Sequence, residues 1–125
     1  MNKKGENKME DCLFCKIVKG EIPCEKIFEN DKVLSFRDIN PLAQIHYLVI
    51  HKEHSRDLSE MSHNPEQISD IFLAIKKITT GHSLDQLGYR VFTNNGAKAG
   101  QSVFHTHFHI LSDENLATKW TSNVS

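Results

Sequence analysis

Three histidines, His105, His107 and His109, recur at every second position inside the run Gly100-Gln101-Ser102-Val103-Phe104-His105-Thr106-His107-Phe108-His109-Ile110-Leu111. In a β-strand the side-chain period is two, so a strand over Val103 to Leu111 directs all three imidazoles to one face, with neighbouring Cβ atoms about 6.5 to 7 Å apart. Packing alone explains this poorly, because every half-buried imidazole must satisfy two ring nitrogens. Two kinds of chemistry fit: three ligands around a metal ion that activates water, or phosphoryl or nucleotidyl transfer, in which one imidazole attacks phosphorus and its neighbours hold the charge. The turn-rich segments Asn94-Asn95-Gly96 and Gly100-Gln101-Ser102 favour the second, since backbone N–H groups and a hydroxyl there can hold a phosphate without net positive charge.

The rest of the chain bounds the fold. Its 125 residues suit one domain. Lys and Arg number 15 against 16 Asp and Glu, a formal charge of −1, so no broad positive field exists and duplex nucleic acid is not an expected partner. Apolar stretches such as Leu48–Ile50 fall far short of the roughly 18 to 20 residues a membrane helix needs, and no secretory signal is read at the start. A soluble, cytoplasmic protein is expected. Residues 1–10 and 113–125 read as tails around a domain over 11–112.

Asp11 is expected to cap a short helix over Leu13–Val18 that Gly20 and Pro23 end. Glu25–Glu29 and Lys32–Arg37 read as a hairpin around Asn30-Asp31, with Ile27, Val33 and Ser35 on one side. Ile45–His51 is a strand in which Tyr47 and Val49 alternate with His46, Leu48 and Ile50. A long helix starts at Asn64-Pro65, with Gln67 placed to reach back to the cap. It carries Ile68, Ile71, Phe72, Ile75 and Ile78 as a buried stripe and stops at Gly81. Gly88–Asn94 and Val103–Leu111 complete about five strands. The expected fold is α+β: a mostly antiparallel five-stranded sheet, with one long and one short helix packed on one face.

Cys12-Leu13-Phe14-Cys15, in a chain with three cysteines, reads as metal or redox chemistry before disulfide scaffolding, with two buried thiols as the plainer alternative.

Gly100-Gln101-Ser102-Val103 followed by His105-x-His107-x-His109 resembles the histidine triad family of nucleotide hydrolases and transferases, above all its small branch that hydrolyses adenosine phosphoramidates. The likeness extends from Cys12 to Leu111 and includes Gly20-Glu21-Ile22-Pro23, Phe36-Arg37-Asp38-Ile39-Asn40-Pro41 and His46-Tyr47-Leu48-Val49-Ile50. The resemblance implies that His107 is a nucleophile forming a covalent nucleotidyl-histidine, that His109 contacts the phosphate, that Ser102 lies beside the leaving group, and that His46 supports the triad. It further implies that Asp38 holds the ribose hydroxyls, that Asn94 and Gln101 belong to the phosphate end, and that Ile27, Phe36 and Ile39 lie near a purine base. Asp38 can equally be a turn former before Asn40-Pro41. By the same resemblance Cys12, Cys15, His54 and His105 form a closed tetrahedral set for structural zinc, Cys24 is a small apolar bystander, and two chains pair into a homodimer with a continuous sheet. A mononucleotide-binding module with negligible turnover is the alternative from outside the enzymes.

Departures from the pattern are also visible. Ser112-Asp113-Glu114 replaces the usual Gly-Gly-Arg, His51 replaces a Pro, and Ile45 replaces a Gly. His51, His63 and His82 are expected in exposed or loop positions without a role.

Overall fold

The computed structural model describes residues 11–119; residues 1–10 and 120–125, which the expected tails include, lie outside it. Five strands form one antiparallel sheet in the order β1-β2-β3-β5-β4: β1 (Lys26–Glu29), β2 (Val33–Arg37), β3 (Ile45–His51), β4 (Arg90–Phe92) and β5 (His107–Ser112). The hairpin turn works without glycine because the Asn30 side chain accepts the backbone N–H groups of Lys32 and Val33, at 2.9 and 2.8 Å, so the amide does the turning.

Alternation in β3 sorts the two sheet faces as expected. Val33, Tyr47, Val49, Phe108 and Ile110 pack with Ile71, Ala74, Ile75 and Ile78 of the long helix α3 (Pro65–Gly81), together with Met61 of α2 (Leu58–Met61) and Leu84 of α4 (Leu84–Leu87). Leu34, Phe36, Leu48 and Ile50 pack instead with Cys12, Phe14, Cys15 and Ile17 around α1 (Leu13–Val18). Helices therefore cover both faces, not one. The short helix is the reason: its apolar side is too small to add to the α3 layer but large enough to close the opposite face. Full burial of Phe14 and Ile17 is worth about 1.5 to 3 kcal/mol each.

Other details also depart from the sequence reading. The N-cap of α1 is Cys12, whose Sγ accepts the Cys15 N–H at 3.2 Å, and Asp11 is not the cap. Gly20 at φ +82° ends the first helix, letting the Gly20 and Glu21 N–H groups fold back onto the Ile17 and Lys16 carbonyls. Asn64 precedes α3 without a side-chain cap bond, and Gln67 is buried instead of reaching back. Phe72 is 54% exposed, so the buried stripe of α3 is Ile71, Ala74, Ile75 and Ile78. Strand β4 is shorter than 88–94, and β5 begins at His107, not Val103.

The register slips by one residue across Ile27, so Ile27 and Phe28 both pack toward the α3 side. After β5, where a tail is expected from 113, Asp113 is 5% exposed and a short helix α5 follows (Leu116–Lys119). No helix among the described residues is long and apolar enough to cross a membrane.

Candidate active site

On the α1 face, antiparallel pairing sets His109 opposite Leu48 and His107 opposite Ile50. His46, two residues before Leu48, shares that face, and α1 roofs it. A pocket of about 620 Å³ results, lined by Leu13, Phe14, Ile17, Ile22, Pro23, Phe36, Asp38, Ile39, Ser102, His107 and His109 among others. Its apolar walls are the kind that hold a flat ring, and its polar groups gather at one end.

At that end the hydrogen bonds fix the imidazole tautomers. His107 donates from Nδ1 to the His105 carbonyl at 2.8 Å, which leaves the Nε2 lone pair free. The Leu42 N–H donates to His46 Nδ1 at 3.0 Å, so the His46 proton resides on Nε2. That proton is offered to His109 Nδ1 at 2.9 Å, and the Asp38 carboxylate oxygen Oδ2 lies 3.4 Å from the same nitrogen. His109 must then carry its own proton on Nε2, a buried atom with no partner within the protein. A buried donor left open costs about 1 to 3 kcal/mol, so it is a place where a ligand oxygen is wanted. Phe92 stacks on His109 at 4.4 Å and 8°, and Phe14 meets His107 edge-on at 5.1 Å and 88°, which hold the two rings in place.

Burial disfavours the charged form throughout the group. It pushes the His109 pKa down to about 4, assisted by the His107 and His46 imidazoles. It lowers His107 as well, against the opposing pull of the His105 carbonyl, and it lowers His46 against the pull of Asp38. At neutral pH the site presents neutral imidazoles: one with a free lone pair and one with a free N–H.

His105 does not join them. Residues before His107 leave the strand in a bend tied to Ser55, whose carbonyl accepts the Thr106 N–H at 2.8 Å and whose hydroxyl meets that of Thr106 at 2.6 Å. His105 thus escapes the alternation. Its Nε2–H donates to the His51 carbonyl at 2.9 Å, which turns the Nδ1 lone pair to Cys12 Sγ at 3.3 Å, Cys15 Sγ at 3.5 Å and His54 Nδ1 at 3.2 Å. The ligating atoms of Cys12, Cys15, His54 and His105 all lie within 4.8 Å of one another. A tetrahedral ion with bonds of about 2.0 to 2.3 Å separates its ligand atoms by roughly 3.3 to 3.8 Å, close to these spacings. Burial opposes the Cys12 thiolate, but the His105 and His54 imidazoles override it and lower the Cys12 pKa, while burial and the adjacent Cys12 raise that of Cys15.

The triad imidazoles are therefore not three ligands of one ion. Asp38, His46 and His109 also bring ligating atoms within 4.8 Å of one another. There, however, Leu42 N–H holds His46 in the tautomer whose Nε2 bears a proton, and that is the atom a metal would need. The set is built as a hydrogen-bond relay.

The remaining expected residues divide. Phe36, Ile39, Asp38 and Ser102 line the pocket. Asp38 also makes the turn, its Oδ1 accepting the Asn40 N–H at 2.8 Å, so the turn reading holds for a residue that lines the pocket as well. Ile27 is not at the pocket, because the register slip turns it to the α3 core. Gln101 is 4% exposed and its amide is committed to the loop, accepting from Gly96 N–H and donating to the Arg56 and Val103 carbonyls. Asn94 stands behind the same loop, its amide 3.5 Å from where a Cβ on Gly100 would lie, and Gly100 takes φ +103°. These two residues shape the phosphate-end loop and do not line the pocket.

His51 is neither exposed nor idle: it is 3% exposed, accepts the Glu53 N–H and meets Asp70 Oδ2 at 2.9 Å. His63 and His82 are exposed as expected. Leu13, Phe14, Ile17 and Phe92 also border the site, and no sequence motif marks them as doing so. Phe14 and Ile17 were visible as an apolar helix side, but nothing local shows that this side roofs the triad.

A small antiparallel sheet is roofed by a short helix, and a neutral imidazole pair faces an apolar slot at one end of this α+β domain. The HIT domain model matches residues 19–116. An uncharacterized HIT-like protein of Helicobacter pylori is 44% identical over 102 residues, covering 82% of this chain and 96% of that protein. Adenosine 5'-monophosphoramidase hnt1 of Schizosaccharomyces pombe is 44% identical over 115 residues, covering 89% of this chain and 84% of its own. Among solved structures, a histidine triad protein from Clostridium difficile superposes with a TM-score of 0.78 at 45% identity, covering 82% of this chain and 90% of that one. The chain belongs to the HIT family.

Proposed function

We propose that this HIT-family hydrolase cleaves purine nucleoside phosphoramidates, or related nucleotide conjugates, through a covalent nucleotidyl-histidine intermediate. The observation that carries the reading is the pairing, at one end of an apolar slot, of a free His107 Nε2 lone pair with an unpartnered His109 Nε2–H. The base lies between α1 and Phe36, and Asp38 accepts from the ribose hydroxyls. His107 Nε2 attacks phosphorus, the P–N bond breaks, and the leaving nitrogen takes a proton from solvent, relayed by the exposed Ser102 hydroxyl, to depart as the neutral amine. Nδ1–H of the nucleotidylated ring stays on the His105 carbonyl, which spreads the imidazolium charge, while His109 Nε2–H holds a non-bridging oxygen. Water then attacks phosphorus, releasing the nucleoside monophosphate and restoring His107. The relatives named adenosine 5'-monophosphoramidase, from Candida albicans at 42% identity and S. pombe at 44%, support the substrate class.

Zinc is part of the proposal. Cys12, Cys15, His54 and His105 are two soft and two borderline ligands in a closed set, suited to a structural ion that pins α1 to the sheet. Homodimer formation is proposed as well. It is supported by β4 at the sheet edge and by an adjacent groove of about 490 Å³ that Phe72, Ile75, Thr79, Tyr89 and Val91 line.

The test is incubation with adenosine 5'-phosphoramidate in the presence of a chelator, at a temperature where the fold persists. Stoichiometric AMP and ammonia are expected. Tight AMP binding without release of either would favour a binding module, and immediate loss of turnover on chelation would favour metal-activated water.

A further inference from the structure

Asp113 stands just past β5, yet it is only 5% exposed, and its carboxylate accepts backbone N–H groups on two segments. Oδ1 accepts the Asn115 N–H at 3.0 Å, closing the turn that leads into α5. Oδ2 reaches across to the β2–β3 connection and accepts the Gln44 N–H at 2.9 Å. That connection, residues 38–44, carries two parts of the site: the Asp38 carboxylate and the Leu42 N–H that fixes His46. Gln44 is two residues from Leu42 and two from His46, so its anchor lies between the donor and the ring it acts on. Within this segment the Asn40 N–H goes to Asp38 and the Asp38 N–H to the His46 carbonyl, which ties the start of the loop. Among the described residues, the Asp113 carboxylate is the side-chain acceptor that ties its end to β5, the strand bearing the triad.

We propose that Asp113 is a positioning residue for the reaction: by holding Gln44 it keeps the Leu42 N–H on His46 Nδ1 and thereby sets, through His46, which nitrogen of His109 bears the proton. The inference rests on the reading of His109 as the donor to the phosphate. The logic is that of a chain of single protons. Leu42 N–H makes His46 an acceptor at Nδ1 and hence a donor at Nε2. His46 Nε2–H makes His109 an acceptor at Nδ1 and hence a donor at Nε2, where no protein group meets it. When the loop end is freed, Leu42 N–H no longer discriminates between the two His46 tautomers. A His46 protonated on Nδ1 turns a lone pair toward His109 Nδ1, which then takes the proton itself and presents an Nε2 lone pair to the anionic phosphate. The site would be intact in shape and wrong in polarity.

The experiment reads the tautomers directly. Long-range ¹H–¹⁵N correlation spectra of ¹⁵N-histidine-labelled protein, without substrate, should show His46 and His109 as Nε2–H tautomers in the native chain. Asp113→Ala should move both toward mixtures and lower kcat on adenosine 5'-phosphoramidate about tenfold, with a smaller change in KM. Asp113→Asn has one acceptor oxygen for these two backbone donors; with that oxygen on Gln44 N–H and the Asn115 turn bond given up, it should keep native tautomers and kcat within about twofold. Leu42→Pro removes the amide hydrogen with Asp113 intact. It should reproduce the tautomer shift, and it carries the test if Asp113→Ala does not fold. Native tautomers in Asp113→Ala or Leu42→Pro would overturn the proposal, as would lost thermal stability with unchanged kcat. Failure of the native protein to release ammonia would count against the phosphoramidate reading alone, since the spectra need no substrate.

Discussion

His107 donates from Nδ1 to the backbone carbonyl of His105, 2.8 Å away, while the His105 side chain turns from the pocket to Cys12 and Cys15. One residue thus serves two sites, its backbone aiming the His107 ring and its own ring completing the thiol cluster. Phe14, between the two cysteines in sequence, contacts both rings edge-on at 5.1 and 6.0 Å. The cluster that fastens α1 also places the roof of the pocket.

Metal binding should therefore be worth most as stability. Protein purified without added metal is expected to hold one zinc per chain by elemental analysis. Cys12→Ser should lower the melting temperature by roughly 10 °C or more, while turnover at low temperature falls less steeply, because the ion's binding energy is folding energy. Absence of zinc, or an unchanged melting temperature, contradicts the assignment.

Much of this was legible in the sequence because it depends on local periodicity. The bounds of α1 and the two faces of β3 follow from alternation and the Gly20 stop, whereas the pairing of two cysteines with two histidines followed only from the family resemblance. What was not legible depends on contacts distant in sequence. The bend that takes His105 out of the strand is enforced by Ser55, some fifty residues earlier, and the slip that removes Ile27 from the pocket is a property of the β1–β2 register. Likewise, nothing near His51 shows that Asp70 would come from α3 to meet it, or that its carbonyl would fix the His105 ring.

Ribose recognition can be separated from general affinity. Asp38→Ala should weaken AMP binding by about 10- to 100-fold, the order expected for hydrogen bonds to a half-buried carboxylate. It should barely affect an analogue lacking both ribose hydroxyls. Equal weakening of the two ligands by calorimetry contradicts the role. Asp38→Asn, which retains an acceptor for the Asn40 N–H, distinguishes lost recognition from a loosened turn.

The pH dependence of stability has a definite sign. His109 titrates at about 4 in the folded chain and at about 6.5 when unfolded, so between those values the unfolded state binds the extra proton. Stability should rise with pH across this window and be lost as pH falls from about 6.5 toward 4. Urea unfolding midpoints for the native protein and His109→Asn check this. The variant should show a flatter slope between pH 6.5 and 4, and parallel slopes would contradict the burial of a neutral His109.

The central claim is that His107 is the nucleophile. Mixing enzyme with excess adenosine 5'-phosphoramidate, quenching within milliseconds to seconds and mapping the peptides should find a nucleotidyl group on His107 Nε2, decaying as AMP is released. His107→Asn should form no adduct and lose at least about 10³-fold in turnover while still binding AMP, since it removes the attacking atom and little ground-state contact. An adduct on His105 or His109, or substantial turnover by the Asn variant, would contradict the account.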